Sequence, residues 1–485
     1  MILNIFNHSF HYEMEKLTRI FFPEAELRVV DGKEESGDFI TTGRIRNEKS
    51  DTVYVCVKIG AAESEKSAEV AFCDDFEAVC ERKMAKVLYD VLCRVTSYIP
   101  PWGILTGVRP AKLMNMLIDK HGEEKAVDMF VGELMVTREK TALALAVAKK
   151  ERPILEKSTP QSFSLYVSIP FCPTRCSYCS FVSQANEQAK KLIPEYVEKL
   201  CEEIKITGEE TKKLNLRLES VYWGGGTPVV LSPSQYEKIS SAISESFDLS
   251  HCTEYTVEAG RPDAVTGEKL KAIKRSGATR ISINPQTFND SVLSAIGRKH
   301  TSLQTEKAML LAREYGFSDI NMDLIAGLPT DTLSSFEHTL DRTLSFSPES
   351  ITVHTLALKR SSALVTESRE TNDALLAKEM LSLASRRLSE NGYTPYYMYR
   401  QSHCLGNLEN VGWVKEGYEC LYNVYMMEEC HTVIAVGAGA VTKLKGRGRQ
   451  EIERVYNFKY PYEYISRFDE IIERKKLISD FYSKG

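Results

Sequence analysis

Two hydrophobic periodicities divide this chain. Up to about residue 160 the pattern is mixed. Residues 1–60 alternate strand-like and charged pieces, and DTVYVCVKI is apolar at every second position, as a strand requires. Residues 76–97 and 110–150 place apolar side chains at helical spacing. Between them, YIPPWGILTGVRPAKL is punctuated by proline and glycine. ERPILEKSTPQS reads as a linker, which sets a domain boundary near 160.

From about 163 the pattern becomes regular. SLYVSI, SVYWGG, EYTVEAG, RISINPQ, DINMDLIAG and SITVHTLAL are short apolar runs. Helical segments intervene at 194–213, 233–247, 264–276, 302–315, 333–345 and 373–391. Strand alternating with helix predicts an α/β fold with a parallel sheet and helices outside it. Six repeats predict a partial (β/α) barrel of about six parallel strands, with its chemistry at the C-terminal strand ends. Three domains are expected: an N-terminal α+β domain at 1–160, the barrel at 161–392, and a C-terminal α+β domain at 393–485 covering it. In that last part YTPYYMYRQ reads as a strand, and VIAVGAGAVTKL is apolar and rich in glycine.

Composition narrows the class only slightly. The chain has 485 residues, 43% hydrophobic and 27% charged, with a formal net charge of -5. That charge leaves no footprint for nucleic acid. No apolar run is long enough to cross a bilayer. The N-terminus lacks the basic start and unbroken apolar stretch of a secretory signal, so a cytoplasmic location is expected. Nine of the twelve cysteines lack tight mutual spacing and read as core residues.

The other three carry chemistry. Cys172, Cys176 and Cys179 follow the first barrel strand in FCPTRCSYC. Clusters kept for electron transfer generally use four cysteines. Three leave one iron open to chelate a small molecule, as catalytic zinc sites leave one position open. Zinc itself would want a fourth ligand nearby, and none is evident. Gly224, Gly225 and Gly226, then Thr227, follow the second strand, where glycine lets backbone amides approach a ligand. Glu258 ends the third strand and Gln286 the fourth, and Arg298 follows in the next helical region. Asp323 lies inside the apolar fifth strand, where an acid needs a partner or ligand. Ala357 lies in the sixth.

Three cysteines at this spacing resemble the radical S-adenosylmethionine (SAM) superfamily. That resemblance implies a 4Fe-4S cluster on Cys172, Cys176 and Cys179, SAM on the open iron, and cleavage of SAM to a 5′-deoxyadenosyl radical. YVSIPFCPTRCSYCSF, WGGGTP, EAGRPD, INPQTF, GRKHT and DLIAGLP further resemble the oxygen-independent coproporphyrinogen III oxidases and their relatives, including heme chaperones. WGILTGVRP resembles their longer Gram-positive-type form. The resemblance implies oxidative decarboxylation of coproporphyrinogen III to protoporphyrinogen IX, with reduced flavodoxin or ferredoxin as electron donor. It places Tyr166 over the first SAM, with Gly225 and Glu258 against the same molecule. Tyr178, Gly226, Thr227, Gln286, Arg298, Asp323 and Ala357 match positions holding a second SAM or the first SAM's adenosine. Heme as cargo, or methyl transfer that opens heme, are the alternatives within the resemblance.

Two positions depart from the family pattern. Ser168 stands where the oxidases usually carry His, and Phe181 where they carry a fourth Cys. His354, or the pair His403 and Cys404, are candidates for a heme ligand. Arg261, Arg280, Lys359, Arg360 and Arg400 are candidates for pairing with propionates.

Overall fold

The computed structural model describes residues 1–179, 187–359, 362, 364, 373–401, 403–446 and 452–483. Phe181 and Arg360 lie outside the described residues. By its contacts the chain divides into two units, 1–145 with 406–408, and 146–405 with 409–485.

The first unit is a five-stranded sheet, in the order β2-β1-β3-β4-β5. Its strands are β1 (Ile2–Phe6), β2 (Arg28–Asp31), β3 (Phe39–Arg46), β4 (Ser50–Ile59) and β5 (Ala62–Ala71). Helices α1 (His11–Phe21) and α2 (Phe76–Thr96) share its core. Val53, Val55 and Val57 of β4 are fully buried there, at the period of two that the sequence shows. The helix expected over 110–150 is broken into α3 (Pro110–His121), α4 (Glu123–Asp128) and α5 (Arg138–Leu155). Gly122 and Met135 adopt positive φ of 84° and 57°, which no continuous helix accommodates. The boundary between units falls inside α5, upstream of the linker-like stretch near 160.

The second unit is one sheet of eleven strands, in the order β12-β13-β11-β10-β9-β8-β7-β6-β14-β15-β16. The six expected barrel strands are β6 (Ser162–Ile169), β7 (Arg217–Gly225), β8 (Glu254–Glu258), β9 (Arg280–Ser282), β10 (Ile320–Ala326) and β11 (Ser350–Thr355). They pair in parallel in chain order. A seventh parallel strand, β14 (Thr432–Val436), joins the free side of β6. It is buried along its whole length, as a strand inside a parallel sheet must be, and this is why its sequence is apolar without alternation. β12 (Thr394–Arg400) and β13 (Glu409–Val414) extend one edge antiparallel; β15 (Val441–Lys445) and β16 (Ile452–Tyr456) extend the other. The stretch after 393 therefore builds both flanks of the barrel sheet, and by contacts all of it but 406–408 belongs to the same unit.

The outer helices are α6 (Ile193–Lys213), α7 (Pro233–Ser246), α8 (Gly267–Arg275), α9 (Asp290–Ala295), α10 (Ser302–Glu314), α11 (Leu333–Ser345) and α12 (Ala374–Glu390). Capping boxes start α7 at Ser232 with Gln235 and α10 at Thr301 with Gln304. One face of each strand packs against these helices: Phe163, Leu165, Val167, Val221, Trp223, Val257, Ile281 and Met322 join one core with Leu200, Ile239, Ile273 and Met309. The last helix, α14 (Phe468–Ser483), follows α13 (Leu421–Glu428) and docks on α6 through a fully buried polar network. Its Lys475 Nζ lies 2.7 Å from Glu203 Oε1, and Glu203 also accepts from Gly437 N, Asn457 Nδ2 and Tyr464 Oη. Among the described residues no helix is long and apolar enough to cross a membrane.

Candidate active site

Strand alternation sorts side chains between the helical layer and the barrel interior. The strand register puts Ser164, Tyr166 and Ser168 of β6 on one face with Ser220, Tyr222 and Gly224 of β7. Thr256 and Glu258 of β8, Ser282 of β9, Asn321 and Asp323 of β10, and Thr352 and His354 of β11 continue that face. Nearly every one of these residues is polar. Barrels filled only for stability carry branched apolar layers instead. This interior is therefore built to hold polar chemistry.

The cluster loop is fixed from three sides. Gly226 N donates to Ile169 O at 2.8 Å and Thr227 N to Phe171 O at 2.8 Å. Thr227 Oγ1 lies 3.4 Å from Cys172 Sγ. A Cβ on Gly226 would come within 2.5 Å of Phe171 O, so only glycine allows this approach. Arg261, paired with Asp263, donates to Thr174 Oγ1 at 2.9 Å. Ser177 N donates to Ile296 O at 2.9 Å. Buried Arg298 donates to Tyr178 Oη at 3.1 Å and to the main-chain oxygens of Gly260 and Asn284. Cys176 is buried, and Cys172 and Cys179 are half-buried. Among the described residues no three His, Cys, Asp or Glu side chains converge on a point as ligands of a single ion do. Thiolates that each bind a different iron of a cluster need no such convergence.

At the C-terminal end of β8, Glu258 accepts from Tyr222 Oη at 2.7 Å. Tyr222 stacks on Tyr422 at 4.4 Å and lies 6.3 Å from Tyr166, all three rings within 22° of parallel. Tyr422 belongs to α13, whose first amides at Leu421 and Tyr422 donate to Glu254 of β8 at 2.6 and 3.3 Å. A carboxylate there suits a helix N-terminus. Asp323 accepts from Asn321 Nδ2 at 2.7 Å and lies 3.9 Å from His354 Nε2. His354 Nδ1 lies 3.4 Å from Tyr399 Oη. Burial pushes the Asp323 carboxyl up, but His354, Asn321 and Thr352 outweigh it and hold its pKa below the usual value.

Glu258 shows the opposite balance. Burial, with Asp323 adding to it, pushes its pKa up to about 7 against the pull of Tyr222 and His354. A carboxyl raised on folding lends stability that is complete below its ordinary value of 4.5 and is lost as pH rises through about 7. Glu258→Gln cannot ionise. At pH 8 the ligand-free variant is therefore expected to unfold at a higher temperature than the parent, by at most ~3 kcal/mol of stability. At pH 4, below both pKa values, the two are expected to unfold together. Thermal unfolding at both pH values checks this, and an offset independent of pH would contradict it.

Other sequence candidates fall elsewhere. Gln286 sits at positive φ (66°) beyond β9, its amide donating to Asp323 O at 2.9 Å and its carbonyl accepting from Ile325 N at 3.0 Å. Gly225 also has positive φ (104°), with Ser168 Oγ 3.0 Å from the place of an added Cβ. Ala357 pairs with Cys404 in an isolated bridge. Cys404 is buried and its thiol points to Thr355 O, while His403 is exposed in the turn beside it. Arg280 lies at the opposite end of its strand from the site, where it holds Asp319, Tyr418 O and Ser350. It is a structural cation and not a propionate partner. Arg261 is likewise engaged at the cluster loop, and Arg400 is buried. Ser168 donates to Ala438 O at 2.8 Å, and a Cβ on Gly437 would lie 3.2 Å from Ser168 Cβ. The turn after β14 thus occupies the space a histidine at 168 would need. Tyr222, Tyr422, Ser282 and Asn284 went unnoticed in the sequence. The phase of polar residues within the apolar runs, as in Ser164, Tyr166 and Ser168, was the signal that could have exposed this face.

Residues 166–343 match the Radical SAM superfamily. The fold resembles that of coproporphyrinogen III oxidase (HemN) of Escherichia coli, described as a radical SAM enzyme. The TM-score is 0.53 at 23% identity, over 67% of this chain and 73% of that one. Fold and site thus define a radical SAM enzyme, a class whose cofactors are a 4Fe-4S cluster and SAM. Over its whole length the chain is 33% identical to the oxygen-independent coproporphyrinogen-III oxidase-like protein HemZ of Bacillus subtilis, with 98% of that protein covered. The heme chaperone HemW of Bacillus subtilis is 33% identical over 57% of this chain and 70% of its own length. The chain belongs to the oxygen-independent coproporphyrinogen III oxidase-like family.

The residues present fit the implied cofactors. Three thiols lie on a loop that Gly226, Thr227 and Arg261 fix in place, and the adjoining interior is polar and carries unpartnered oxygens at Gln286 and Asn284.

Proposed function

We propose that this enzyme oxidatively decarboxylates coproporphyrinogen III to protoporphyrinogen IX, consuming two SAM molecules. The polar barrel interior beside the cysteine loop carries this reading, supported by the full-length similarity to the coproporphyrinogen-III oxidase-like protein. When bound to Cys172, Cys176 and Cys179, the cluster with SAM supplies the 5′-deoxyadenosyl radical that takes a hydrogen from a propionate side chain. Tyr166 and Gly225 position the first SAM, and Glu258 accepts a hydrogen bond from its donor groups. Tyr178, Gly226, Thr227, Gln286, Arg298, Asp323 and Ala357 border the second SAM or the adenosine of the first. The enzyme then works in the cytoplasm with reduced flavodoxin or ferredoxin. Each of two propionate radicals loses carbon dioxide and passes one electron to a one-electron acceptor, leaving a vinyl group, which is why two SAM molecules are consumed.

Anaerobic incubation of the reconstituted protein with dithionite, SAM and coproporphyrinogen III tests this. A vinyl-bearing product with about two 5′-deoxyadenosines per tetrapyrrole is expected from the cofactor's chemistry. SAM cleavage without change in the tetrapyrrole would remove the proposed substrate.

Two observations favour a second reading, heme as cargo. His354 is part-exposed in the barrel interior, and the similarity to the heme chaperone is equal in identity, though over a shorter span. Titration with heme, read at the Soret band in parent and His354→Ala, tests it. A spectrum that ignores the substitution sets it aside.

A further inference from the structure

The barrel interior holds more hydrogen-bond acceptors than its own donors use. Ser282, Asn284 and Gln286 lie at alternate positions from β9 into the turn that follows, and are 4%, 8% and 7% exposed. Ser282 Oγ, Asn284 Oδ1 and Gln286 Oε1 are all buried, without a hydrogen-bond partner among the described residues. Each such oxygen gives up the hydrogen bond that water supplies in the unfolded chain. Ser282 ends β9 and Asn284 follows at the next position of its alternation, which the positive φ of Gln286 and its bridge to Leu324 then break; the orphan oxygens at 282 and 284 call for a ligand.

The surroundings add acceptors, and an orphan donor beside the row is His300 Nε2, whose ring lies against Pro285 and whose Nδ1 accepts from Arg298. The register sets Glu258 beside Ser282, and Ser282 beside Asn321, two residues before Asp323 on the same face. The nearby cations are turned away from the row. Arg298 serves main-chain oxygens and Tyr178, and Arg261 serves Asp263 and Thr174. An added Cβ on Gly260 would lie 3.1 Å from Asn284 Nδ2, so the nitrogen side of that amide rests against the turn after β8.

Such a row takes a ligand that presents N–H or O–H donors. Two sources exist in the proposed reaction: the hydroxyl and ammonium groups of SAM, and the pyrrole N–H groups of a tetrapyrrole. A metallated tetrapyrrole has no pyrrole N–H to offer. A site built to bond an N–H discriminates strongly against an analogue that lacks it. Gln286 is already assigned to SAM in the reading above, whereas Ser282 and Asn284 are not.

We propose that Ser282 and Asn284 form an acceptor subsite for the pyrrole N–H groups of a metal-free tetrapyrrole, so that the barrel selects porphyrinogen over heme. This rests on the tetrapyrrole reading and adds the basis of recognition.

The test compares free-base coproporphyrin III with its zinc(II) complex. The pair shares carboxylates and planarity and differs at the pyrrole nitrogens. Binding to the anaerobic, cluster-loaded protein is followed by porphyrin fluorescence, and SAM binding by equilibrium dialysis. The parent is expected to prefer the free base by about tenfold or more. Asn284→Leu with Ser282→Ala is expected to bring that ratio below about twofold while SAM still binds. Asn284→Asp, which keeps an acceptor, is expected to retain the preference and to guard against misfolding. Equal affinity, or a preference for the zinc form, in the parent overturns the proposal and leaves the tetrapyrrole reading standing. Variants that lose SAM and keep the preference assign the oxygens to SAM and overturn it too. If SAM binds and neither porphyrin does, the tetrapyrrole reading itself falls.

Discussion

Cys176→Ala is expected to give a folded protein that retains almost none of the roughly four irons per chain a 4Fe-4S cluster brings, and that cleaves SAM only at background rate. The site geometry explains why no neighbour can substitute. The loop is held by Gly226 and Thr227 to β6, by Arg261 through Thr174, and by Ser177 to Ile296, so it cannot slide to offer another ligand. Cys404→Ala is the matched control. Its thiol is also buried, but it points to Thr355 O and has no part in the loop. Iron content, the absorbance of the reconstituted protein and 5′-deoxyadenosine formation are expected to collapse in the first variant and to persist in the second. Full iron in Cys176→Ala would sink the cluster assignment.

Glu203→Ala is expected to destabilise the barrel by about 3–5 kcal/mol, the range for breaking a buried ion pair. The carboxylate is fully buried and receives the Lys475 ammonium, Gly437 N, Asn457 Nδ2 and the Tyr464 hydroxyl. Its loss strands donors from three segments at once. Lys475→Met removes only one of those donors and is expected to cost less, although it also gives up the bond to Ala435 O at 2.8 Å. The double variant with Glu203→Leu is expected to recover little, because Gly437, Asn457 and Tyr464 remain unanswered. Denaturant unfolding of the three proteins decides between this and a simple pairwise ion pair, for which the apolar double variant would match the parent.

The repeating part of the fold was legible because period carries it. The helix read at 333–345 is observed at Leu333–Ser345, and that read at 194–213 at Ile193–Lys213. β14 escaped because an all-apolar strand next to glycines has no period, and its partner β6 lies far back in the chain. The long helix expected over 110–150 failed at Met135, whose left-handed backbone nothing in its chemistry announces. At the site, the cysteines and the glycine run were visible because their spacing is local. The stack of Tyr222 on Tyr422 joins residues two hundred positions apart through a helix that Glu254 anchors, and no local pattern encodes that. Arg280 misled for a related reason, since strand direction, and not residue type, decides which end of the barrel a cation reaches.

The pairing of β6 with β14 also orders events in time. Ser168 meets Ala438 across 270 residues. At about 5–20 residues per second of synthesis, β6 emerges roughly 15–50 s before the strand that seals its open side. For that interval the strand leading into the cysteine loop has an exposed edge, prone to pairing with other chains.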